Sequence, residues 1–402
     1  MRHLLHFKLP NKLIIPIIFV FGASLVMGTT DLYVPSMPSM AKGLGIDQEW
    51  IQFSVTAYFL GTVFVPLLYG VLADHKGRRY TLLLGLSIFV LASAICLGSQ
   101  SIWPLLIGRF FQGFGGAAVG VVGFASLKDL YTKEEQAKII AYQGMAIASA
   151  LALAPALGGY IEVTLGWRYA FALIFGLSVL LITLVFFKFK ETLDNTHPKP
   201  TQKLLAPYWT MLKSKEFMSV SLIYPPLFGS IFSWITVSPF YFIDTLGMKP
   251  DAFGLYSMGV VAGYPIGAFI NSRLIPRVGL TKTLQIALGI MAFSTFLLII
   301  GALFFSTCLE FIFLSLTLYV TGMGVAFATI TTLSMSIFPK ASGTSSAFLH
   351  IQRMGGAALG SYIGGVMTDN TLFPIALYFL CSLGVSISLY IYVTYRKFVP
   401  RD

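Results

Sequence analysis

Two charged residues stand inside long apolar runs of the sequence, where a charge is costly. Asp31 is the one charged residue in residues 16–38 (PIIFVFGASLVMGTTDLYVPSMP), and Arg109 lies several residues inside a later apolar run. An arginine at such a position costs about 2.5 to 3.5 kcal/mol on membrane-insertion scales unless it faces protein or water. We therefore predict that Asp31 and Arg109 face one polar cavity. There the carboxylate is either the partner of the guanidinium or its proton-linked competitor.

A plainer role for Asp31 stays open. The residue could mark the water interface and cap the turn at residues 33–36, which contains Pro35. The cavity role also predicts proton exchange by Asp31, because a carboxylate beside a cation can take up or release a proton according to what occupies the cavity. Gln112, three residues after Arg109 in the string RFFQG, belongs to the same predicted site.

A second basic pair, His350 and Arg353 in the string HIQRM, falls inside another apolar run. Residues three positions apart lie on adjacent turns of a helix. Arg353 is near the centre of its run, so it also needs protein or water around it. His350 is either a proton carrier or a packed, hydrogen-bonded histidine.

Aromatic side chains are candidates to line the same cavity. Ligand cavities are mostly apolar with a few polar groups, which suits amphiphilic compounds. The candidates are Tyr33, Tyr58, Tyr224, Trp234, Phe240 and Tyr264. Because 15% of the chain is aromatic, lipid contact is the alternative for any one of them.

The composition predicts the framework that positions these residues. Of the 402 residues, 56% are hydrophobic and 11% are charged, and the mean hydropathy is +0.80, whereas soluble domains are about 25% charged. Apolar runs of about 20 residues, enough to span a hydrocarbon core of about 30 Å, recur along the chain. We predict an all-α membrane protein of twelve transmembrane helices, at about 12–34, 50–73, 80–98, 103–127, 137–160, 167–188, 217–243, 252–273, 283–306, 309–336, 343–367 and 373–395.

Basic residues are unevenly distributed between alternate connections. Most Lys and Arg residues fall on the side that holds both termini, whereas the other side has Lys42, Arg168 and Lys249. Cytoplasmic loops carry the positive excess, so we predict cytoplasmic termini. The net charge of +11 then reflects the orientation of the chain in the membrane and does not indicate nucleic-acid binding. The first run ends in Asp31 without a small-residue cleavage site, which predicts a retained span and not a signal peptide.

One long connection divides the predicted helices six and six. It gives an N-terminal bundle at 1–188, a cytoplasmic linker at 189–216 and a C-terminal bundle at 217–402. The bundles echo each other, since residues 153–159 (LAPALGG) resemble residues 359–365 (LGSYIGG). Parallel halves with a substrate site between them are one transporter plan, although small residues are favoured in packed membrane helices and can match by chance.

The sequence lacks the signatures of several other kinds of membrane protein. Its three cysteines, Cys96, Cys308 and Cys381, have no CxxC or histidine partner at metal spacing, and there is no GxxxxGK[ST] nucleotide loop. A nucleophile–base pair and a large soluble domain are also absent from the sequence. We therefore predict no metal, no cofactor and no enzyme activity.

The most specific string, GVLADHKGRRYTL, begins at Gly70 in a predicted cytoplasmic turn. Gly70 and Gly77 allow close approach and a tight turn. Arg78 and Arg79 hold the turn in the cytoplasm. The string resembles the GxLaDrxGrr signature of the major facilitator superfamily, with a histidine in place of one arginine. The resemblance implies that Asp74 locks the two bundles together near the start of the eleventh span.

Two further strings resemble motifs of proton-coupled exporters in that superfamily. Residues 109–113 (RFFQG) are similar to the RxxqG motif. The string APALGG, which begins at Ala154, is similar to the antiporter motif gxxxGPxiGG, with alanine where glycine is usual. In that motif Pro155 bends the helix, and Gly158 and Gly159 permit tight packing against a neighbour.

The branch that the chain resembles is the Bcr/CflA group, the bicyclomycin and chloramphenicol resistance exporters. The resemblance runs from about Gly28 to Gly365 and includes TDLYVPSMP from Thr30 and SPF from Ser238. Within LKDLY it implies that Asp129 belongs to an RDxY-like element, with lysine in place of arginine.

This resemblance implies a proton-coupled multidrug exporter of small amphiphilic compounds that works by alternating access in the bacterial inner membrane, as a monomer. The expected partners are the substrate, protons and the lipid bilayer, and no nucleic acid. A proton-coupled symporter for a nutrient or metabolite has the same fold and is the alternative. A polytopic membrane enzyme or receptor is a more distant one.

Overall fold

In the computed structural model, helices make up nearly all of the described chain, which comprises residues 8–193, 206–367, 369 and 371–396. The predicted linker at 189–216 is described only at its two ends, because residues 194–205 lie outside the described residues. Residues 1–7 and 397–402, which carry part of the predicted cytoplasmic charge, also lie outside them.

The helices follow the predicted apolar runs closely. Short 3₁₀ turns join α1 to α2 and α14 to α15, and a π-helical segment, Phe240–Thr245, continues α11. The α-helices are α1 (Lys8–Tyr33), α2 (Met37–Leu44), α3 (Gln48–Val63), α4 (Val65–Lys76), α5 (Arg78–Leu97), α6 (Ile102–Leu130), α7 (Lys133–Thr164), α8 (Trp167–Lys188), α9 (Ala206–Lys213), α10 (Lys215–Ser221), α11 (Tyr224–Pro239), α12 (Pro250–Val261), α13 (Gly263–Phe304), α14 (Leu309–Ile337), α15 (Ser342–Met367) and α16 (Phe373–Tyr395).

Ten helical segments of the described chain are long and apolar enough to cross a membrane. The longest, Pro250–Phe304, has 55 residues, which at about 1.5 Å per residue is more than twice a hydrocarbon core of about 30 Å. It is broken at Gly279, whose φ of 78° and ψ of 173° are not helical. α15, which carries Arg353, is not among the ten. The all-helical membrane-spanning class is confirmed, and the count of twelve stays a prediction.

Helix boundaries follow local sequence signals. α7 begins with a capping box, in which the Thr132 hydroxyl accepts from the N–H of Glu135 at 3.3 Å and the Glu135 carboxylate accepts from the N–H of Thr132 at 3.0 Å. Proline lies in the first turn of α4, α11, α12 and α16, where no hydrogen-bonded amide is lost. Between α4 and α5, Gly77 has a φ of 103°, and a Cβ there would overlap the carboxylate of Glu191. The turn therefore requires glycine.

The described chain forms two parts that contact each other along two seams. We call residues 8–193 the N-terminal part and residues 206–396 the C-terminal part. α7 packs against α12 at one seam, and α3 packs against α15 at the other. A Cβ built on Gly159 of α7 would overlap the carbonyl oxygen of Pro250 at the start of α12. Glycine thus brings the two backbones into close contact.

The two parts meet most closely at one end of the molecule. We call it the Gly45 end, because Gly45 joins α2 to α3 there, and the opposite end the Gly77 end. At the Gly45 end, Lys42 of the N-terminal part donates to the Asp244 carboxylate of the C-terminal part at 2.6 Å. On α7, Tyr142 lies toward the Gly77 end and is 61% exposed. Lys42 and Asp244 therefore join the two parts at the Gly45 end.

Pro155 does not interrupt α7, which runs from Lys133 to Thr164 with the proline inside it. The predicted tight packing is seen at both glycines that follow. A Cβ on Gly158 would overlap the carbonyl oxygen of Leu32, and Gly159 meets Pro250 as described. The close approach predicted at Gly70 is not seen among the described residues, where a Cβ would meet no heavy atom within 4 Å.

Candidate functional site

Arg109 of α6 is fully buried, with 0% of its surface exposed. Its guanidinium donates from Nη1 to Oε1 of Gln112 at 2.7 Å and from Nη2 to the Thr30 hydroxyl at 2.9 Å. The rings of Tyr33 and Tyr58 lie 4.6 and 4.5 Å from its Cζ. Hydrogen bonds and aromatic faces of this kind stabilise a cation that has left water. Nε of Arg109 has no hydrogen-bond partner in the described part of the chain.

Asp31 is near this cation but does not pair with it directly. It is 8% exposed, and the charge of Arg109 acts on its carboxylate. Among the described residues, no nitrogen of Arg109 lies within 4.0 Å of an Asp31 oxygen. Successive residues of a helix project about 100° apart, and it is the neighbour Thr30, together with Gln112, that forms the hydrogen bonds to the guanidinium. The predicted role of Asp31, as partner or proton-linked competitor of Arg109, stays a prediction.

A second layer of polar contacts fixes the groups around Arg109. Gln112 donates to the Ser93 hydroxyl at 2.9 Å, and Tyr33 shares a hydrogen bond of 2.8 Å with Ser54. Tyr58 donates to the carbonyl oxygen of Val26 at 2.6 Å. These bonds join α1, α3, α5 and α6 around one buried charge.

Sequence reasoning did not identify three of the supporting residues: Thr30, Ser54 and Ser93. Only Thr30 had a local signal, because it adjoins Asp31. The other two are single hydroxyls in apolar runs, and only the packing of α3 and α5 brings them to the site.

Arg353 of α15 forms a second cationic position, in the C-terminal part. Its Cζ lies 5.6 Å from the ring centre of Phe228 and 5.1 Å from that of Phe327. The side chain is half-buried, and its Nε has no hydrogen-bond partner among the residues that the structure describes. His350 is also half-buried, within electrostatic range of Arg353. The predicted pair is therefore together, and its function stays a prediction.

Trp234 and Phe240 are buried in this structure, and their predicted place in the cavity lining stays a prediction. Trp234 is buried against Phe242, with ring centres 5.6 Å apart, and Phe240 is buried in the π-helical segment. Tyr33 and Tyr58, by contrast, lie against the Arg109 guanidinium. Of the aromatic residues predicted to line the cavity, Tyr33 and Tyr58 thus contact Arg109.

The turn between α4 and α5 at the Gly77 end carries a network of charges within the N-terminal part. Arg78 donates to Asp74 at 2.5 Å and to Asp129 at 3.1 Å. Asp74 therefore has an ionic partner in its own turn in this structure, and its predicted contact with the eleventh span stays a prediction. Asp129 belongs to the same network, and its place in an RDxY-like element stays a prediction.

The first residues after α8 close this turn from the other side. The Glu191 carboxylate accepts from the N–H groups of Arg78 at 2.8 Å and of Arg79 at 3.1 Å. These amides begin α5 and have no partner within the helix, so the carboxylate caps it. The Arg79 side chain donates to the carbonyl oxygen of Phe186 at 2.7 Å.

An apolar groove of about 510 Å³ lies between α1 and α7 toward the Gly77 end. Its walls include Ile17, Phe21 and Tyr142, with Ser24 as a polar member. Among the described residues, no group of three or more His, Cys, Asp or Glu side chains could hold a metal ion.

Comparisons of this chain with known proteins agree on one family. The model of the Major Facilitator Superfamily matches residues 19–361. The chain is similar to a bicyclomycin resistance protein homolog of Haemophilus influenzae, at 28% identity over 92% of this chain and 94% of that protein. It is also similar to the chloramphenicol resistance protein CraA of Acinetobacter baumannii, at 26% identity over 84% and 82% of the two chains.

Solved structures share the fold at low sequence identity. A D-xylose–proton symporter superimposes with a TM-score of 0.74 at 18% identity, over 97% of this chain and 98% of that one. An inward-facing, occupied structure of a bacterial homolog of the lysosomal transporter Spinster has a TM-score of 0.75 at 15% identity, over 95% and 96%. At these identities the likeness concerns the fold alone.

Proposed function

Because this chain belongs to the Major Facilitator Superfamily, we propose that it is a secondary transporter that exports small amphiphilic compounds in exchange for protons. The observation that carries the proposal is Arg109, a fully buried cation among membrane-spanning helices, with Asp31 beside it. A buried charge in a membrane-spanning segment is costly and marks a substrate or proton pathway. The names of its relatives, which are bicyclomycin, chloramphenicol and multidrug resistance proteins, support drug export.

The proposed architecture has twelve spans in two bundles, residues 1–188 and 217–402. The segment Pro250–Phe304 counts as two crossings because it is broken at Gly279, and α15 supplies one more. The protein works as a monomer, without a cofactor, and the proton gradient supplies the energy.

The proposed mechanism is alternating access to a cavity between the two parts. In this structure Lys42 and Asp244 join the parts at the Gly45 end. We propose that the parts separate toward the Gly77 end, where the apolar groove between α1 and α7, within the N-terminal part, offers amphiphilic compounds a path to the cavity.

Export of chloramphenicol by purified protein in proteoliposomes tests the proposed function. We expect uphill movement of the drug when a pH gradient is imposed, and none when an ionophore collapses the gradient. Movement of the drug in the same direction as the protons would indicate a symporter. Resistance profiles of cells that overexpress the protein would extend the range of compounds.

The proposed orientation places both termini and the Gly77 end in the cytoplasm of a bacterial inner membrane. It predicts that single cysteines at Ser101 and Thr371 react with an impermeant maleimide from outside, whereas one at Thr201, which lies outside the described residues, does not. Labelling of residue 201 from outside in intact cells would reverse the orientation.

A further inference from the structure

Arg353 is a cation without an anionic partner among the described residues. No carboxylate of a described residue lies within 4.0 Å of its guanidinium. The described acidic residues of the C-terminal part all lie at or near helix ends: Glu216, Asp244, Asp251, Glu310 and Asp369. This half-buried guanidinium in a membrane-spanning helix therefore keeps N–H donors that can still form hydrogen bonds.

The surroundings of Arg353 are aromatic. Phe228 of α11 and Phe327 of α14 lie against the guanidinium, and both rings are only partly buried. Aromatic faces stabilise the cation but accept no conventional hydrogen bond from its N–H groups. The site can thus still bind an acceptor group that enters from outside the protein.

A row of aromatic rings leads from Arg353 to Arg109 across the boundary between the two parts. Phe228 contacts Phe232 at 4.8 Å between ring centres, and Phe232 of the C-terminal part contacts Phe59 of the N-terminal part at 4.5 Å. Phe59 contacts Tyr58 at 5.5 Å, and the Tyr58 ring lies 4.5 Å from the Arg109 guanidinium. The row therefore has a guanidinium at each end.

We infer that Arg353 is a second subsite of the transport cavity. It binds a hydrogen-bond acceptor group, such as a carboxylate or a nitro group, of an aromatic substrate. The ring of this substrate lies along the row of aromatic rings. The inference rests on the proposed export function and specifies its substrate class. Two guanidiniums and one carboxylate, Asp31, give the site a positive balance. Cationic forms of the same compound are therefore bound less well.

Three related compounds of different charge test this inference by isothermal titration on the purified protein. They are chloramphenicol, which is neutral, its succinate ester, which is an anion, and its deacylated amine, which is a cation. We expect the wild type to bind the ester and chloramphenicol more tightly than the amine. In Arg353→Met, affinity for the ester should fall about tenfold or more, as for a lost hydrogen bond to a charged group, with no loss for the amine.

Two further variants separate recognition from folding. Arg353→Lys keeps the charge and should restore part of the ester affinity. Arg273→Met is the matched control, because Arg273 also lies over a phenyl ring, that of Phe269 at 5.0 Å, but is exposed and outside the row. It should bind all three compounds as the wild type does.

The possible results separate the inference from the proposed function. An equal loss for all three compounds in Arg353→Met, or no loss, overturns the subsite and makes Arg353 a packing residue. Tightest binding of the amine by the wild type overturns the substrate class while leaving drug export standing. If the wild type binds none of the three compounds, both the Arg353 subsite and the proposed export function are overturned.

Discussion

Asp31→Asn is expected to abolish proton-driven uphill export while leaving the amount of protein in the membrane unchanged. A carboxylate that is largely withdrawn from water beside the Arg109 charge can gain or lose its proton as substrate enters or leaves. Asparagine keeps the shape but cannot carry the proton. A membrane potential contributes about 2.3 kcal/mol per charge per 100 mV, enough for a substrate gradient of about tenfold or more. That gradient should vanish in proteoliposomes of the variant.

The matched control for this experiment is Asp47→Asn. Asp47 is exposed, precedes α3 and makes no side-chain capping bond. Its replacement should leave transport nearly unchanged. If Asp31→Asn keeps wild-type export under a pH gradient, Asp31 is an interface residue after all, and the proton carrier must be sought at Asp129 or His350.

Arg109→Ala is a less selective test of coupling than Asp31→Asn. The arginine is held by Gln112 and Thr30 and lies against two tyrosine rings. Its removal leaves polar partners buried and unpaired, which costs about 1 to 3 kcal/mol for each group. Loss of binding and loss of packing would then be difficult to separate.

The sequence predicted the charged residues of the site more successfully than their contacts. Asp31, Arg109 and Arg353 were identifiable because each interrupts an apolar run, and insertion energetics require a reason for it. The sequence did not show which side chains form hydrogen bonds to the Arg109 guanidinium, because helical rotation decides which of two adjacent residues, Thr30 or Asp31, faces it. That rotation depends on how α1 packs against α6.

Motif resemblance predicted the family, and the Major Facilitator Superfamily match confirms it. It did not predict the cap that Glu191 provides to α5, since this contact joins residues more than one hundred positions apart. Nor did the sequence separate Trp234, which packs inside the C-terminal part, from Tyr58, which faces a charge. Apolar and aromatic patterns predict which side chains are buried. Which group each side chain faces depends on how the helices are assembled.

Gly159→Val is expected to shift the protein away from the state seen here and to block the transport cycle. Any side chain at this position overlaps the backbone of Pro250 across the α7–α12 seam. Overpacking of a close contact costs about 1 to 3 kcal/mol. The penalty falls on the state in which the Gly45 end is closed. Its population relative to the open state should fall by roughly 5- to 140-fold, at about 1.4 kcal/mol per factor of ten.

A cysteine at Ser361 reports this change. Ser361 of α15 is buried and hydrogen-bonded to Thr56 of α3 at 2.8 Å, across the second seam. In a background with the three native cysteines replaced by serine, an impermeant maleimide added outside should label residue 361 faster in Gly159→Val than without it. Gly144→Val is the control on the same helix, because a Cβ there meets no heavy atom of the described chain within 4 Å.

Asp74→Asn should produce the opposite bias. It removes an ionic partner of Arg78 at the Gly77 end, where the resemblance implies that Asp74 helps to close the cavity from the cytoplasm. Transport should fall, and outside labelling of residue 361 should stay low. Fast labelling in Asp74→Asn would contradict the closing role of that turn. Slow labelling in a folded Gly159→Val protein would mean that the α7–α12 seam tolerates a side chain, and that the Gly45 end is held closed elsewhere, for example by Lys42 and Asp244.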